Sequence, residues 1–312
     1  MCEYDPRDDA FTERDPRTDP ALPALRSALD AGELVAYRPG RRATVRFGGG
    51  ASFAKLLRPK RAAELVARHA ALEALRPAAG PGFPRIPALT TTVPPRGILV
   101  FAAARGTSLD ALLRAEVVDP RAIGSVARGL AAFHGAPVDA NRFPAAPAAR
   151  SLPEWIELVR PHDAALAIDA TELARELGEA PPCARPTLIH GDCHDRNVFV
   201  ACDELTLIDL DLCGLGDPCA DAGNLAAHLL LRAVQDGERT ARGWEDAARF
   251  LCAYAQASRS PAPETLVLST ARTLVRLACV HRFRRGWSTS CPQLLAAARE
   301  TAQRLAAANS EP

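Results

Sequence analysis

The stretch LIHGDCHDRNVFVACDELTLIDLD, from Leu188 to Asp211, constrains the fold of this chain more than any other feature. Three apolar runs in it read as short strands: Leu188-Ile189-His190, Asn197-Val198-Phe199-Val200 and Leu205-Thr206-Leu207-Ile208. A polar loop carrying Asp192, His194 and Asn197 separates the first two, and Cys202-Asp203-Glu204 turns the second back on the third. A loop followed by a hairpin brings Asp192, Asn197 and Asp209 toward one end of a small β-rich island.

That island is expected to lie among helices. Asp119-Pro120 is an N-cap and first-turn pair for a helix through Phe133 and His134, and Ser151-Leu152-Pro153 opens another. Helical periodicity recurs over about Asp221–Val234 and Pro263–Phe283. Upstream, Leu34–Tyr37, Ala43–Phe47, Ser52–Leu57 and Gly97–Phe101 read as strands. A helix is expected from about Lys60 to Leu75, stopped by Pro77. The pattern predicts an α+β fold in three parts: a charged, proline-rich, disordered arm over 1–20, a β-rich lobe over 21–104, and a larger helical lobe over 105–312.

Bulk properties narrow the function classes. The 38 Lys and Arg nearly cancel the 37 Asp and Glu, which argues against nucleic acid or an anionic membrane as partner. No apolar run approaches the roughly 18 residues of a membrane span; Leu225–Leu231 contains His228 and stops at Arg232. The N-terminus has no apolar signal region. Nine scattered cysteines without a CxxC pair are read as reduced thiols in a cytoplasmic protein.

Asp192 and Asn197 have the D-x4-N spacing of a protein-kinase catalytic loop, with His190-Gly191-Asp192 in the place of His-Arg-Asp. The spacing suits phosphoryl transfer, which needs a carboxylate to orient the acceptor hydroxyl and oxygen ligands for Mg²⁺. Asp192 is read as catalytic base, and Asn197 and Asp209 as metal ligands. HGDCHDRN resembles the HGDxHxxN motif of the aminoglycoside-phosphotransferase and choline-kinase superfamily. IDLDLCGLGDPCADAGNL is similar to the segment of that family ending in GDPxxDLA, and the two motifs stand in the family's order. The resemblance extends more weakly over about 34–290. It implies a protein-kinase-like bilobal fold, with a small β-rich N-lobe and a larger mostly helical C-lobe. It also implies ATP, Mg²⁺ and transfer of the γ-phosphoryl group to a hydroxyl of a small molecule.

Around this centre, His190 is read as holding the loop by hydrogen bonds and His194 as supporting it. A zinc site built on His190, Asp192 and His194 leaves Asn197 and Asp209 unexplained. Asp217 and Asp221 are read as caps and hydrogen-bond partners. Asp211 is placed on the same side as Asp209 if the segment is extended. Cys193 is expected to be buried and inert.

In the N-lobe, Lys55 on an apolar strand is the candidate for the nucleotide phosphates. Where related helices read R-E-x-x-x-L, this chain has Arg68-His69-Ala70-Ala71-Leu72, with His69 in place of Glu. Glu64 is taken as the substitute partner of Lys55, with Glu73 as the other candidate. Arg38-Pro39-Gly40-Arg41-Arg42 is either a phosphate-covering turn using Gly40 and Arg42 or an ordinary basic turn. The adenine is expected against the backbone near Phe101 and Ala103.

The acceptor is left open between a hydroxylated antibiotic such as an aminoglycoside and a sugar-like or amino-alcohol metabolite. Glu154 to Glu179 holds seven acidic residues against two arginines, whereas Arg272, Arg276, His281, Arg282, Arg284 and Arg285 make the next region basic. A nucleotide-binding pseudokinase acting as a scaffold is the alternative; His69 and the glycine-poor turn favour it, and the intact Asp192, Asn197 and Asp209 oppose it. A protein kinase is disfavoured by the absence of DFG and APE segments.

Overall fold

The structure, a computed structural model, describes residues 2–5, 10–115, 119–139, 143–147, 149–237, 240–258, 262–284, 286 and 288–308. The chain divides into two compact units, residues 1–76 with 85–105 and residues 77–84 with 106–312.

The first unit holds β1 (Cys2–Asp5), β2 (Ala10–Glu13), α1 (Leu25–Ala31), β3 (Glu33–Arg38), β4 (Arg42–Phe47), β5 (Ser52–Leu57), all but the last three residues of α2 (Pro59–Ala79), β6 (Leu89–Val93) and β7 (Ile98–Ala102). Strands β3 to β7 form an antiparallel sheet in the order β3-β4-β5-β7-β6. Side chains alternate across it, so its two faces serve two cores. Leu56, Ala43, Val45 and Tyr37 pack with Leu25 of α1, whereas Leu57 and Leu99 pack with Ala62 and Leu65 of α2. Lys55 pairs with Leu99 and stands two residues before Leu57, which puts it on the α2 face. Within the span expected as an arm, β1 pairs with β2, and the Asp19 carboxylate accepts hydrogen bonds from Tyr37 Oη and the Gly40 N–H. The helix expected to stop before Pro77 runs through it to Ala79. A proline in the last turn removes only one backbone donor, and Gly80, at φ +84°, follows the helix.

The second unit begins with β8 (Thr107–Ser108), α3 (Leu109–Arg114), α4 (Pro120–His134), α5 (Leu152–Val159) and α6 (Ala164–Leu177). Next come β9 (Thr187–Ile189), β10 (Val198–Ala201), β11 (Glu204–Leu207) and β12 (Gly214–Gly216), then α7 (Pro218–Asp236), α8 (Thr240–Ala257), α9 (Pro263–Arg282) and α10 (Cys291–Ala308). Helix starts follow local chemistry. Asp119 and Asp217 accept from N–H groups of the first turn with proline behind them, and Ser151 and Glu154 form a reciprocal capping box. Helix α9 packs against α5, α6, α7 and α10. Buried Phe133, Tyr254, Leu274 and Leu294 lie within this helical part. Its strands form two small sheets, β11-β10-β8 and β12-β9, which carry the catalytic-loop candidate.

Candidate active site

Residues 190–197 connect β9 to β10, and their backbone is held from three directions. Asp221 on α7 is buried, and its carboxylate accepts the N–H groups of His190 at 2.5 Å and Gly191 at 2.9 Å. The same carboxylate accepts His134 Nε2 at 3.1 Å, and His134 Nδ1 meets Tyr254 Oη at 2.6 Å. Burial would raise the Asp221 pKa, but His134 and the His190 N–H hold it below the usual carboxylate value. Gly191 adopts φ +80°, and a Cβ there would stand 2.6 Å from the Leu212 carbonyl oxygen.

His190 is fully buried. Its Nε2 donates to the Ile208 carbonyl at 2.8 Å and its Nδ1 accepts the Asp192 N–H at 3.3 Å. Ile208 in turn donates its N–H to the Asn197 carbonyl at 3.0 Å. Both backbone groups of Ile208 are therefore tied to the loop, and this brings Asp209 beside Asn197. Asp209 sits in the left-handed region at φ 58°, ψ 45°, a conformation disfavoured for a side chain with Cβ. Its carboxylate caps no N–H of the short 3₁₀ turn Leu210–Leu212 that follows. Asp211 lies in that turn and is buried, so the expectation of an extended segment is corrected. The reversal at Asp209 breaks the period-two alternation on which it rested.

Asn197 has one assignable orientation. Its Nδ2 donates to the Asp192 carbonyl at 3.0 Å and meets His194 Nε2 at 3.2 Å. A carbonyl oxygen only accepts, so the nitrogen must face it, and Oδ1 is left with no hydrogen bond from the described residues. A hard oxygen donor beside a carboxylate fits Mg²⁺. A zinc site does not fit here. Both ring nitrogens of His190 are engaged, and no group of three His, Cys, Asp or Glu able to hold a metal occurs among the described residues. Cys193 is buried, and burial pushes its thiol pKa well up, which makes it inert.

Two contacts of this loop escape a reading of the sequence. Asp195, inside the motif, is fully buried against the Arg232 guanidinium of α7, which also reaches Asp110 at 2.9 Å. Burial pushes the Asp195 pKa up, yet His194 and Arg232 hold it below the usual range. From the other side, Asn224 Nδ2 donates to the Cys193 carbonyl at 2.7 Å. The strength of Arg232 as a signal is visible only afterwards: a lone arginine ending an apolar helical run.

The residues expected to meet nucleotide all lie in the first unit. Lys55 is 9% exposed on the α2 face of the sheet. Ala62 and Leu65 of α2 pack against that sheet; His69 Nε2 meets the Pro87 carbonyl at 2.9 Å and its ring tilts against Phe101. Glu64 pairs with Arg61 at 2.9 Å and Glu73 with Arg76 at 3.2 Å. Gly40 turns the β3–β4 hairpin at φ +66°, but Asp19 takes its N–H and Arg58 Nε donates to its carbonyl. Any phosphate contact from that turn thus falls to the side chains of Arg41 and Arg42. The Ala103 N–H donates to Ala51, so its carbonyl is the backbone group not used in that bond.

Much of the charge between α5 and α9 is also internally committed. Glu154 caps α5, Glu157 pairs with Arg160, Asp163 caps α6 and approaches Arg282, and Glu179 pairs with Arg272. Arg285 lies outside the described residues.

Residues 33–241, more than half of the chain, match the family described as the phosphotransferase enzyme family. The chain belongs to that family. This phosphotransferase is accordingly a small-molecule kinase. Its fold is that of solved protein-kinase-like relatives at low identity. A choline/ethanolamine kinase family protein from Mesorhizobium loti matches with a TM-score of 0.57 and 17% identity over 93% of this chain and 97% of that one. Amicoumacin kinase hAmiN, solved with AMP-PNP, Ca²⁺ and Ami, gives 0.55 and 14% over 92% and 94%. Aminoglycoside phosphotransferase APH(3'')-Id from Streptomyces rimosus gives 0.51 and 18% over 83% and 96%. No curated protein matches the chain in sequence. Among the described residues, no helix is long and apolar enough to cross a membrane.

Proposed function

We propose that this phosphotransferase moves the γ-phosphoryl group of ATP to a hydroxyl of a small molecule, with Asp192 as catalytic base. Asp192 accepts the hydroxyl proton as the acceptor oxygen bonds to phosphorus and the bond to the ADP oxygen breaks. Asn197 Oδ1 and the Asp209 carboxylate would hold Mg²⁺, which neutralises phosphate charge when bound. His190, His194 and Asp211 support this loop. Lys55 attends the phosphates with Glu64 as its carboxylate partner. Gly40 and Arg42 shape the covering turn, and the backbone at Phe101 and Ala103 receives the adenine.

The observation that carries this reading is the Asn197 amide. Its nitrogen is committed to the Asp192 carbonyl, so its oxygen stays available beside Asp209. The AMP-PNP and Ca²⁺ bound by amicoumacin kinase are consistent with a triphosphate and a divalent cation. A hydroxylated antibiotic such as an aminoglycoside, or a sugar-like or amino-alcohol metabolite, is the acceptor proposed. The proposed setting is the reduced cytoplasm, without membrane or nucleic-acid partners.

The test is Mg²⁺-dependent ADP release by the purified protein against a panel of aminoglycosides, other hydroxylated antibiotics, sugars and amino alcohols. Acceptor-stimulated release that falls by orders of magnitude in Asp192→Ala, with ATP still bound, is the expected result. Undiminished turnover in Asp192→Ala removes the residue from the base role. Nucleotide binding without stimulation by any acceptor favours the scaffold function instead.

A further inference from the structure

Three arginines of α9 meet different fates. Arg272 donates to the Gly178 carbonyl and pairs with Glu179, and Arg282 donates to the His162 carbonyl and approaches Asp163. These two tie α9 to the ends of α5 and α6. Arg276, between them, is half-buried and has no carboxylate partner within ion-pair distance among the described residues. Among the described residues, its one hydrogen bond runs from Nη2 to Asn224 Oδ1 at 2.7 Å.

Asn224 passes that contact on. With Oδ1 accepting from Arg276, its Nδ2 donates to the Cys193 carbonyl at 2.7 Å. Cys193 directly follows Asp192, so the chain Arg276–Asn224–Cys193 holds the Cys193–His194 peptide plane, one residue beyond the proposed base. A guanidinium left half-buried without a counter-ion is unfavourable unless a charge nearby compensates it. Burial pushes the Arg276 pKa down, and the carboxylate of Asp192 is the leading charge that pushes it back up.

We infer that Arg276 is a positioning residue for phosphoryl transfer, holding the segment that follows Asp192 through Asn224. The inference rests on the proposed role of Asp192. It predicts that Arg276 acts on the chemical step rather than on nucleotide binding, because its hydrogen-bonded chain ends on Cys193, the residue after the proposed base. A misplacement on the order of 1 Å at a reacting group lowers rates about 100-fold. The expected loss is therefore about 10- to 100-fold.

The experiment measures ADP release from Mg²⁺–ATP, with water as the acceptor and with any acceptor found in the panel. The variants are Arg276→Met, Arg276→Lys, Arg276→Ala, Asn224→Ala, the Arg276→Met/Asn224→Ala pair, and Asp192→Asn as reference. Arg276→Met and Asn224→Ala should each lower kcat by about 10- to 100-fold, with KM for ATP and the melting temperature little changed. The double variant should be no slower than the slower single, since both break one chain. Arg276→Lys should keep more activity than Arg276→Met, and free guanidinium should restore part of the rate in Arg276→Ala. A wild-type kcat in Arg276→Met beside an inactive Asp192→Asn overturns the Arg276 role alone. Losses that multiply in the double variant, or a fall in kcat matched by loss of ATP affinity and melting temperature, also overturn it. A wild-type rate in Asp192→Asn removes the base assignment and the Arg276 role with it.

Discussion

At the scale of single residues, the site is governed by where hydrogen-bond donors are already committed. Asn197 keeps its Oδ1 clear of hydrogen bonds from the described residues because its amide nitrogen faces the Asp192 carbonyl and His194. Asp209 keeps its carboxylate off the following turn because the left-handed backbone points it elsewhere. Asp209→Ala should consequently abolish Mg²⁺-dependent nucleotide binding; tight metal-dependent binding in that variant, measured by calorimetry, would exclude it as a ligand. Gly191 is constrained sterically as well as conformationally, since a Cβ would strike the Leu212 carbonyl. Gly191→Ala should destabilise the fold by about 2 kcal/mol through left-handed strain, and turnover should fall with it. An unchanged melting temperature would show that the loop relaxes freely.

At the scale of elements, α7 acts as the post to which the catalytic loop is fixed. Its Asp221, Asn224 and Arg232 reach His190 and Gly191, Cys193, and Asp195 respectively. Removing the buried Asp221 carboxylate leaves two N–H groups and His134 without their acceptor. Asp221→Ala should lose about 3 kcal/mol at pH 7, the scale of breaking a buried hydrogen-bonded charge. The sign of its pH dependence follows from a carboxylate held below its ordinary pKa. That stabilisation is full above the unfolded value of about 4 and disappears as pH falls through the folded value. The gap between wild type and Asp221→Ala in urea unfolding should therefore close below about pH 4; a gap constant from pH 7 to pH 3 would contradict an ionised Asp221. Helix α2 shows how an element can be legible while its end is not. Its apolar stripe is plain in the sequence, but Pro77 falls where a helix can still carry it.

Across the whole molecule, acid sensitivity should come from histidines as well as carboxylates. His281 is 1% exposed, and burial pushes its pKa down to about 4. His228 is pushed down by burial too. A buried neutral histidine favours the folded state above its unfolded pKa of about 6.5, and this contribution is lost as pH falls toward the folded value. Stability at pH 5 should be lower than at pH 7 by about 2 kcal/mol from His281 alone, and His281→Leu should flatten the slope. Equal unfolding midpoints for wild type at the two pH values would refute this.

What could be read without coordinates was local. The strands around Lys55, the helices after Asp119 and Asp217, and the order of Asp192, Asn197 and Asp209 follow from side-chain periodicity, caps and motif spacing, all set by near neighbours. The tertiary structure alone decided which charges are spent and which are kept. Asp195 is buried against Arg232, a partner 37 residues away in the chain; Arg272 and Arg282 look like part of a basic region and are ties to α5 and α6. These outcomes depend on residues far apart in the chain meeting at defined distances, and charge pairing at a few ångströms is fixed by packing rather than by sequence spacing.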